Sequence, residues 1–394
     1  MPALDRIRGA SRRTLYLVAA GVLVLAVVAV LVPVLLPERD GASECRKAPV
    51  SARALARDPA RAAAALDPGE TVERTGPLKR LLRPGGHPLC EGPDGTDLAG
   101  RALVAATTGR TAEEAGDDDI PARPHTERAA RVAHATVLLL GRGRDQYLPD
   151  FPLGLNRYLA LMFAAYIQDT TRATTHGTAN DWEYPTVTDD EAEYEDGGGN
   201  WATPFPNGHD VHALFPQYEP VRGVIGRVAA DPRAFATLYD AERARYAFYL
   251  ERLTDAAQEP GKRARDGLTA TESELEQTAA FVALLMASRT KAVHEGLAPS
   301  LAGFDRAVLR HTRGLYRPAG HRVRSRPSAA TLAQRRPDRT AGTGEKAARR
   351  LMDGRIQLFT VFDAWVKERG VPAGSAEQLR VAMDSRYVRE LRLP

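Results

Sequence analysis

Apolar residues recur at intervals of three and four along most of this chain, a spacing typical of amphipathic helices. Runs in which Val, Ile and Thr alternate with polar residues, as in strands, are nearly absent. The pattern therefore predicts a mainly α protein. Helices are expected at 51–66, 97–107, 127–140, 153–171, 232–253, 275–286, 351–365 and from 375 onwards.

Some of these helices carry stronger local signals. Asp231-Pro232 is typical of a helix start, because Asp caps the first turn and Pro lacks an N–H that this turn cannot use. Thr271 and Glu274 have the spacing of a capping box ahead of the next apolar helix. Residues 158–167 are all apolar but too few to span a membrane, so they predict a central helix buried on all sides.

The longest apolar run, residues 15–36, lies near the N-terminus and contains no charged residue. At ~1.5 Å per residue a helix of this length measures about 33 Å, enough to cross a bilayer core of ~30 Å. The basic residues before it are Arg6, Arg8, Arg12 and Arg13. By the positive-inside rule they place the N-terminus in the cytoplasm.

We therefore expect a single-pass cell-membrane protein. It would have a basic cytoplasmic N-terminus (1–13), a transmembrane helix (14–36) and the bulk of the chain outside the cytoplasm. A cleaved signal peptide is the alternative, but its apolar core is usually only ~7–15 residues long.

The outer part of the chain divides by composition into four regions. Residues 41–124 are rich in Ala, Pro and Gly, and 125–316 are predicted to form the helical core. Residues 317–343 are predicted to be a basic linker, and 344–394 to hold C-terminal helices.

Charge excludes few functions. A formal charge of +4 over 394 residues is a mild basic excess and gives no indication of nucleic-acid binding. Almost all the basic residues are Arg, which together with abundant Ala is typical of proteins from GC-rich bacterial genomes. The sequence contains no phosphate-binding loop and no dinucleotide-binding fingerprint, so a nucleotide enzyme is disfavoured.

Cys45 and Cys90 are the only cysteines, and both lie on the predicted outer side of the membrane. In an oxidising compartment an even pair of cysteines predicts a disulfide. The chain-entropy model gives a closed loop of this length about 4 kcal/mol of stabilisation at most. Two separate buried thiols are the alternative.

The most unusual feature is the acidic segment, residues 173–221, which contains no Lys or Arg although the whole chain has 54. It holds ten acids and seven aromatic residues. Several prolines and the run Gly197-Gly198-Gly199 exclude a continuous helix. A disordered acidic stretch seldom carries this many aromatic residues, so an ordered loop over the helical core is expected.

Two metal-site hypotheses apply to the acidic segment. Carboxylates beside glycines suit Ca²⁺, although the EF-hand pattern fails because its sixth position is Asp196 and its twelfth is Ala202. Two histidines three residues apart suit Zn²⁺, although the H-E-x-x-H pattern is absent. The candidate metal ligands are Asp189, Asp190, Glu191, Glu193, His209 and His212.

The acidic segment also has the composition of a recognition surface. Trp and Tyr side chains flanked by carboxylates suit carbohydrate faces and cationic partners, through stacking and hydrogen bonds. A segment that only covers the core, without a ligand, is equally compatible with the sequence.

A region of opposite charge spans 306–350, with thirteen Lys or Arg residues and two acids. It suits anionic lipid headgroups or an anionic wall polymer, since each basic residue near an anionic membrane surface contributes ~1 kcal/mol. A solvated linker, or pairing with the acidic segment of the same chain, are the alternatives.

Two function hypotheses follow. The first is an anchored envelope protein of unknown activity that serves as an interaction or scaffold component, with an envelope protein or an anionic wall polymer as its partner. The second is a cell-wall hydrolase or lyase, with or without a metal, that uses two carboxyl groups ~5–10 Å apart. Its candidate catalytic residues are Asp181, Glu183, His209 and Asp210.

Overall fold

The computed structural model describes residues 45–116, 124–141, 151–175, 186–188, 211–215, 218–252, 270–312 and 353–392. The chain divides into two compact units, Met1–Cys45 and Arg46–Pro394. The predicted N-terminal segment (1–13), transmembrane helix (14–36) and basic linker (317–343) lie outside the described residues. Among the residues that are described, no helix is long and apolar enough to cross a membrane.

The second unit is mainly α, which confirms the fold class that the periodicity predicts. The helices of its described residues are α1 (Ala52–Leu55), α2 (Pro59–Leu66), α3 (Gly76–Leu82), α4 (Thr96–Thr108), α5 (Ala112–Ala115), α6 (Glu127–Gly141), α7 (Asn156–Ala165), α8 (Ile167–Thr175), α9 (Tyr218–Ala229), α10 (Pro232–Arg252), α11 (Ala270–His294), α12 (Leu301–His311), α13 (Gly354–Arg369) and α14 (Ala373–Glu390). Short 3₁₀ turns lie at Pro84–Gly86 and Leu153–Leu155.

The main hydrophobic core of the described residues in this unit runs from Ala48 to Tyr387. Its centre is formed by α10 and α11, which pack against each other and against α12 and α13. Helix α10 also packs on α7, and α11 on α14, while α4 joins α1 and α2 to α7. Phe235 and Phe304 meet edge to face in this core, with ring centroids 5.5 Å apart. Each such buried aromatic side chain stabilises the fold by about 1.5–3 kcal/mol.

The helix starts follow the sequence signals closely at α10. The Asp231 carboxylate accepts from the backbone N–H of Arg233 (2.9 Å) and of Ala234 (2.8 Å), as the Asp-Pro signal predicts.

The predicted helix at 51–66 is instead two helices. Asp58 caps α2 by accepting from the Arg61 N–H at 3.0 Å, and Pro59 interrupts the helical hydrogen bonds before it.

The predicted helix at 153–171 is also divided, although it is buried as expected. Tyr166 has φ −105° and ψ 39°, outside the helical region, and separates α7 from α8. Its hydroxyl donates to the Thr107 carbonyl at 2.8 Å, which fixes this break against α4. Helix α4 approaches α7 closely at Gly100, where an added Cβ would lie 2.1 Å from the Tyr158 ring.

A buried ionic network joins α8, α10 and α11. Arg245 donates to Glu242 (2.8 Å) and to the Thr278 hydroxyl (2.6 Å), and it also pairs with Glu274. Thr171 on α8 donates to the second Glu242 oxygen at 2.6 Å. Burial disfavours the charge of Arg245, but the two carboxylates outweigh it and raise its pKa. Removal of one partner from such a buried network costs about 3–5 kcal/mol, so these charges fix how the three helices pack.

Cys45 and Cys90 are disulfide-bonded, which confirms the predicted pairing. The Cys90 N–H donates to the Arg46 carbonyl at 2.9 Å. The carbonyl of Cys90 in turn accepts from Thr96 N–H at 2.9 Å. At Gly95 an added Cβ would lie 1.8 Å from that carbonyl oxygen, so this turn requires glycine.

The acidic segment is not the single loop that its composition predicts. Helix α8 extends into it as far as Thr175, and α9 begins within it at Tyr218. Between them, β1 (Thr186–Thr188) and β2 (Val211–Ala213) form a two-stranded antiparallel sheet, with Val187 opposite His212. Three-residue strands are too short to produce a recognisable alternation, which explains why the sequence did not predict them.

Candidate functional site at the return strand

Of the candidate site residues, the structure describes only His212, which lies on β2. The catalytic candidates Asp181, Glu183, His209 and Asp210 lie outside the described residues, as do the metal candidates Asp189, Asp190, Glu191 and Glu193. Their proposed roles therefore stay predictions. Within the described part of the chain, no group of three or more His, Cys, Asp or Glu residues is arranged to hold a metal ion.

His212 is paired with a carboxylate from the helical core. Asp169 on α8 places one oxygen 2.8 Å from His212 Nδ1, and its other oxygen accepts from the Ala213 N–H at 2.8 Å. Both side chains are buried. The carboxylate is the acceptor, so Nδ1 carries the proton and Nε2 is the basic nitrogen of the neutral ring. A carboxylate that orients histidine in this way is common in catalytic and metal sites, and it also serves as a structural anchor.

A second histidine holds the residue that follows β2. His134 on α6 is 2% exposed, and its Nδ1 donates to the Leu214 carbonyl. Burial lowers the pKa of His134, and the hydrogen bond to Leu214 opposes this effect only in part. The ring is therefore neutral at neutral pH.

Aromatic rings hold the next residue along the chain. Phe215 meets Phe163 edge to face, with centroids 5.6 Å apart, and lies 6.2 Å from the Tyr166 ring in a similar arrangement. His125 stacks on Tyr166, with ring centroids 3.9 Å apart. Burial, with a smaller contribution from the Asp169 charge, raises the pKa of Tyr166 well above its usual value, so it stays a neutral hydrogen-bond donor.

We refer to these contacts to residues 211–215 as the strand clamp. It consists of Asp169, His134 and the Phe163–Tyr166 aromatic pair, which come from α6, α7, α8 and the break between α7 and α8. Each contact holds a successive residue of the chain, from His212 to Phe215. The C-terminal end of the acidic segment is thus fixed to the helical core by both polar and apolar interactions.

The N-terminal end of the acidic segment is held by two arginines. Arg222 on α9 donates to the Thr174 carbonyl at 3.0 Å, and Arg386 on α14 donates to the Thr175 carbonyl at 3.3 Å. Both arginines pair with the buried Glu390, at 2.5 and 3.5 Å. Cations at a helix C-terminus satisfy its free carbonyls and interact favourably with the helix dipole, so α8 ends at a defined place.

Asp169 was not a candidate from the sequence, although one signal was present. It is the only acid between residues 151 and 175, and it stands two residues after the end of the apolar run. A lone acid in such a place requires a partner if the helix is buried. The partner itself could not be predicted from the sequence, because no local spacing rule relates a residue of α8 to a residue of β2.

Comparison with known proteins finds no matching family model, no matching curated protein and no matching solved structure. The function proposed below therefore starts from the residues of the strand clamp and the sequence of the acidic segment.

Proposed function

We propose that this chain is a membrane-anchored extracytoplasmic protein of the cell envelope, and that it acts as an interaction or scaffold component whose contact surface is the acidic segment. The observation that carries the proposal is that the described ends of this segment are both fixed to a helical core. A segment presented from fixed ends loses less conformational entropy on binding than a free tail of the same composition.

The disulfide supports the proposed location. Disulfides persist in extracytoplasmic compartments and are rare in the reducing cytoplasm. The pairing of Cys45 with Cys90 agrees with an N-terminal apolar run that leaves the following residues outside the membrane.

The composition of the acidic segment indicates the chemistry of the partner. Ten acids without a single Lys or Arg favour a basic surface, and the Trp and Tyr residues among them add stacking and cation–π contacts. We therefore propose an envelope protein with an exposed basic face as the partner. An anionic wall polymer would instead be expected to bind the basic region at 306–350.

In-cell photo-crosslinking of the full-length protein tests this proposal. A photoreactive residue at position 201, a Trp in the acidic segment, is expected to give a reproducible adduct with one envelope protein. The same residue at Val50, which is 91% exposed and lies far from this segment in sequence, serves as the matched control. If position 201 gives no specific adduct, the proposed partner is rejected. If a reagent that does not cross the membrane labels residues 46–394 only after cell lysis, the proposed location is rejected as well.

The cell-wall hydrolase or lyase hypothesis is the second candidate, and the Asp169–His212 pair favours it. Only two residues separate His209 from His212 in sequence, and an oriented imidazole is a common general base. Release of soluble fragments from isolated walls by the full-length protein, with loss of that release in Asp210→Asn, would support it. If Asp210→Asn and Asp181→Asn each release as much soluble material as the wild type, neither carboxylate is a catalytic residue.

A further inference from the structure

The first three helices of the described chain carry basic residues and no acid. Helices α1, α2 and α3 contain Arg53, Arg61, Lys79 and Arg80, and each of these residues is exposed. The apolar sides of the same helices are buried against α4 and α6, and neighbouring helices of the set contact each other. Between residues 45 and 90, nine exposed Lys or Arg residues stand against four acids, whereas the whole chain has 54 against 50. We refer to these nine residues as the basic surface: Arg46, Lys47, Arg53, Arg57, Arg61, Arg74, Lys79, Arg80 and Arg83.

An exposed aliphatic residue lies among these charges. Val50 is 91% exposed, and Lys47 and Arg53 stand three residues to either side of it. Their side-chain nitrogens lie 3.3 and 3.9 Å from the two oxygens of Asp94, so the two basic residues are also neighbours in space. A single exposed aliphatic residue is ordinary on a protein surface. One that stands between two basic side chains has the chemistry of a membrane-contacting loop, with charges for headgroups and an apolar group for the acyl boundary.

The basic surface is also the described part of the chain that follows the predicted membrane span most closely. Eight residues, 37–44, separate the end of the apolar run from Cys45. An extended chain spans at most about 3.6 Å per residue, so Cys45 lies within roughly 30 Å of the end of that run. The disulfide to Cys90 and the hydrogen bonds that Arg46 makes with Pro88 and Cys90 fix this point to the core. The basic surface therefore begins where an anchor would attach.

We propose that the basic surface docks on the outer face of the membrane, where its Lys and Arg residues bind the phosphates of anionic phospholipid headgroups and Val50 enters the boundary with the acyl chains. This inference rests on the membrane anchor of the proposed function. Each basic residue near an anionic surface strengthens such a contact about fivefold, and burial of a Val side chain strengthens it about tenfold. An anionic wall polymer would use the same charges but would leave Val50 in water, so the valine distinguishes the two partners.

Amide hydrogen exchange on the full-length protein in lipid nanodiscs tests this docking. One set of discs contains phosphatidylcholine alone, and the other an equimolar mixture with phosphatidylglycerol. The anchor is expected to carry the protein into both. Exchange of the peptide that covers residues 46–57, corrected for intrinsic rates, is expected to be slower in the anionic discs. High salt should remove the difference, because the Debye length falls from ~10 Å at ~0.1 M to ~3 Å at ~1 M salt.

Charge reversal tests the basic residues. The double variant Arg53→Glu, Arg57→Glu is expected to weaken the contact by at least about 25-fold, the product of two fivefold losses, and to remove the difference between the discs. Arg233→Glu, Lys367→Glu is the matched control, because it changes the net charge equally at exposed sites on α10 and α13. This control is expected to keep the difference between the discs.

A second pair of variants tests the aliphatic contact. Val50→Ser is expected to weaken the contact with the anionic discs by about tenfold, because its hydroxyl gains nothing at the acyl boundary. Val381→Ser is the matched control, since Val381 on α14 is 52% exposed and lies outside the basic surface. It should exchange as the wild type does at residues 46–57. Unchanged exchange in α10 and α11 shows that each variant is folded.

The possible failures are distinguishable. Equal exchange of residues 46–57 in the two kinds of disc would overturn the docking and leave the anchor intact, whereas absence of the protein from both discs would reject the anchor and the docking with it. Loss of the difference in the Arg233→Glu, Lys367→Glu control would mean that net charge, and not the basic surface, is responsible. If Val50→Ser exchanges as the wild type does, or if soluble polyphosphate protects residues 46–57 in phosphatidylcholine discs, the surface binds phosphate polymers and the lipid docking is rejected.

Discussion

Substitution of Asp169 by Ala is expected to free residues 211–215 from the helical core. The change removes both oxygens that hold β2, one 2.8 Å from the His212 ring and one 2.8 Å from the Ala213 N–H. A hydrogen bond to a charged group contributes about 1.5–3 kcal/mol, so the loss of two predicts about 3–6 kcal/mol. The donors left behind regain partners only when the strand opens to water, so most of this cost should appear as local opening.

Amide exchange and urea unfolding together separate local from global effects. We expect protection of residues 211–215 to fall by at least about a hundredfold in Asp169→Ala, since about 3 kcal/mol corresponds to that factor. The free energy of global unfolding from urea titration should fall by less than the local value. Asp169→Asn is expected to be intermediate, because its one carbonyl oxygen satisfies the Ala213 N–H but carries no charge.

Asp363→Ala is the matched control for the loss of an acid on a helix. Asp363 lies on α13 with 57% of its side chain exposed and pairs with Arg380 at the surface. Exposed pairs contribute about 0.2–1 kcal/mol, so this variant should keep wild-type protection at residues 211–215. If Asp169→Ala is no more damaging than Asp363→Ala, the carboxylate does not anchor the strand and the clamp is incorrect.

Three further predictions concern stability. Gly100→Ala should lower the free energy of unfolding in urea by about 1–3 kcal/mol, because the new Cβ would lie 2.1 Å from a tyrosine ring on α7. Gly374→Ala is the control: its new Cβ would have nothing within 4 Å, so this variant should be neutral or slightly stabilising. Equal effects of the two substitutions would contradict the close approach of α4 to α7. Reduction of the Cys45–Cys90 disulfide should lower the melting temperature by an amount that corresponds to about 4 kcal/mol at most, and the double Ala variant should no longer respond to reductant. Burial opposes the charge of Asp67, but hydrogen bonds from an α6 arginine and a backbone N–H outweigh burial and lower its pKa. The contribution of Asp67 to stability is therefore present above ~pH 4 and is lost as the pH falls further. In Asp67→Asn, the free energy of unfolding should fall less steeply with pH over this acid range.

The local structure of this protein is largely a property of its sequence. Apolar periodicity and Gly141 predicted α6 to within a residue, and the Asp231 signal predicted the start of α10, because both depend on residues within a turn or two of each other. The same local logic failed at Tyr166, where a tertiary hydrogen bond to α4 divides a continuous apolar run.

The strand clamp was decided by the tertiary structure alone. Asp169 and His212 are 43 residues apart in sequence, and His134 and Leu214 are 80 apart. No spacing rule spans such distances, because these contacts form only after α6, α7 and α8 have packed and have brought their few polar side chains to one place. The sequence by itself determined most of the helices, the pairing of the two cysteines and the unusual composition of the acidic segment. Packing determined which buried polar groups hold that segment, because each buried polar group needs a hydrogen-bond partner at the position where helix packing places it.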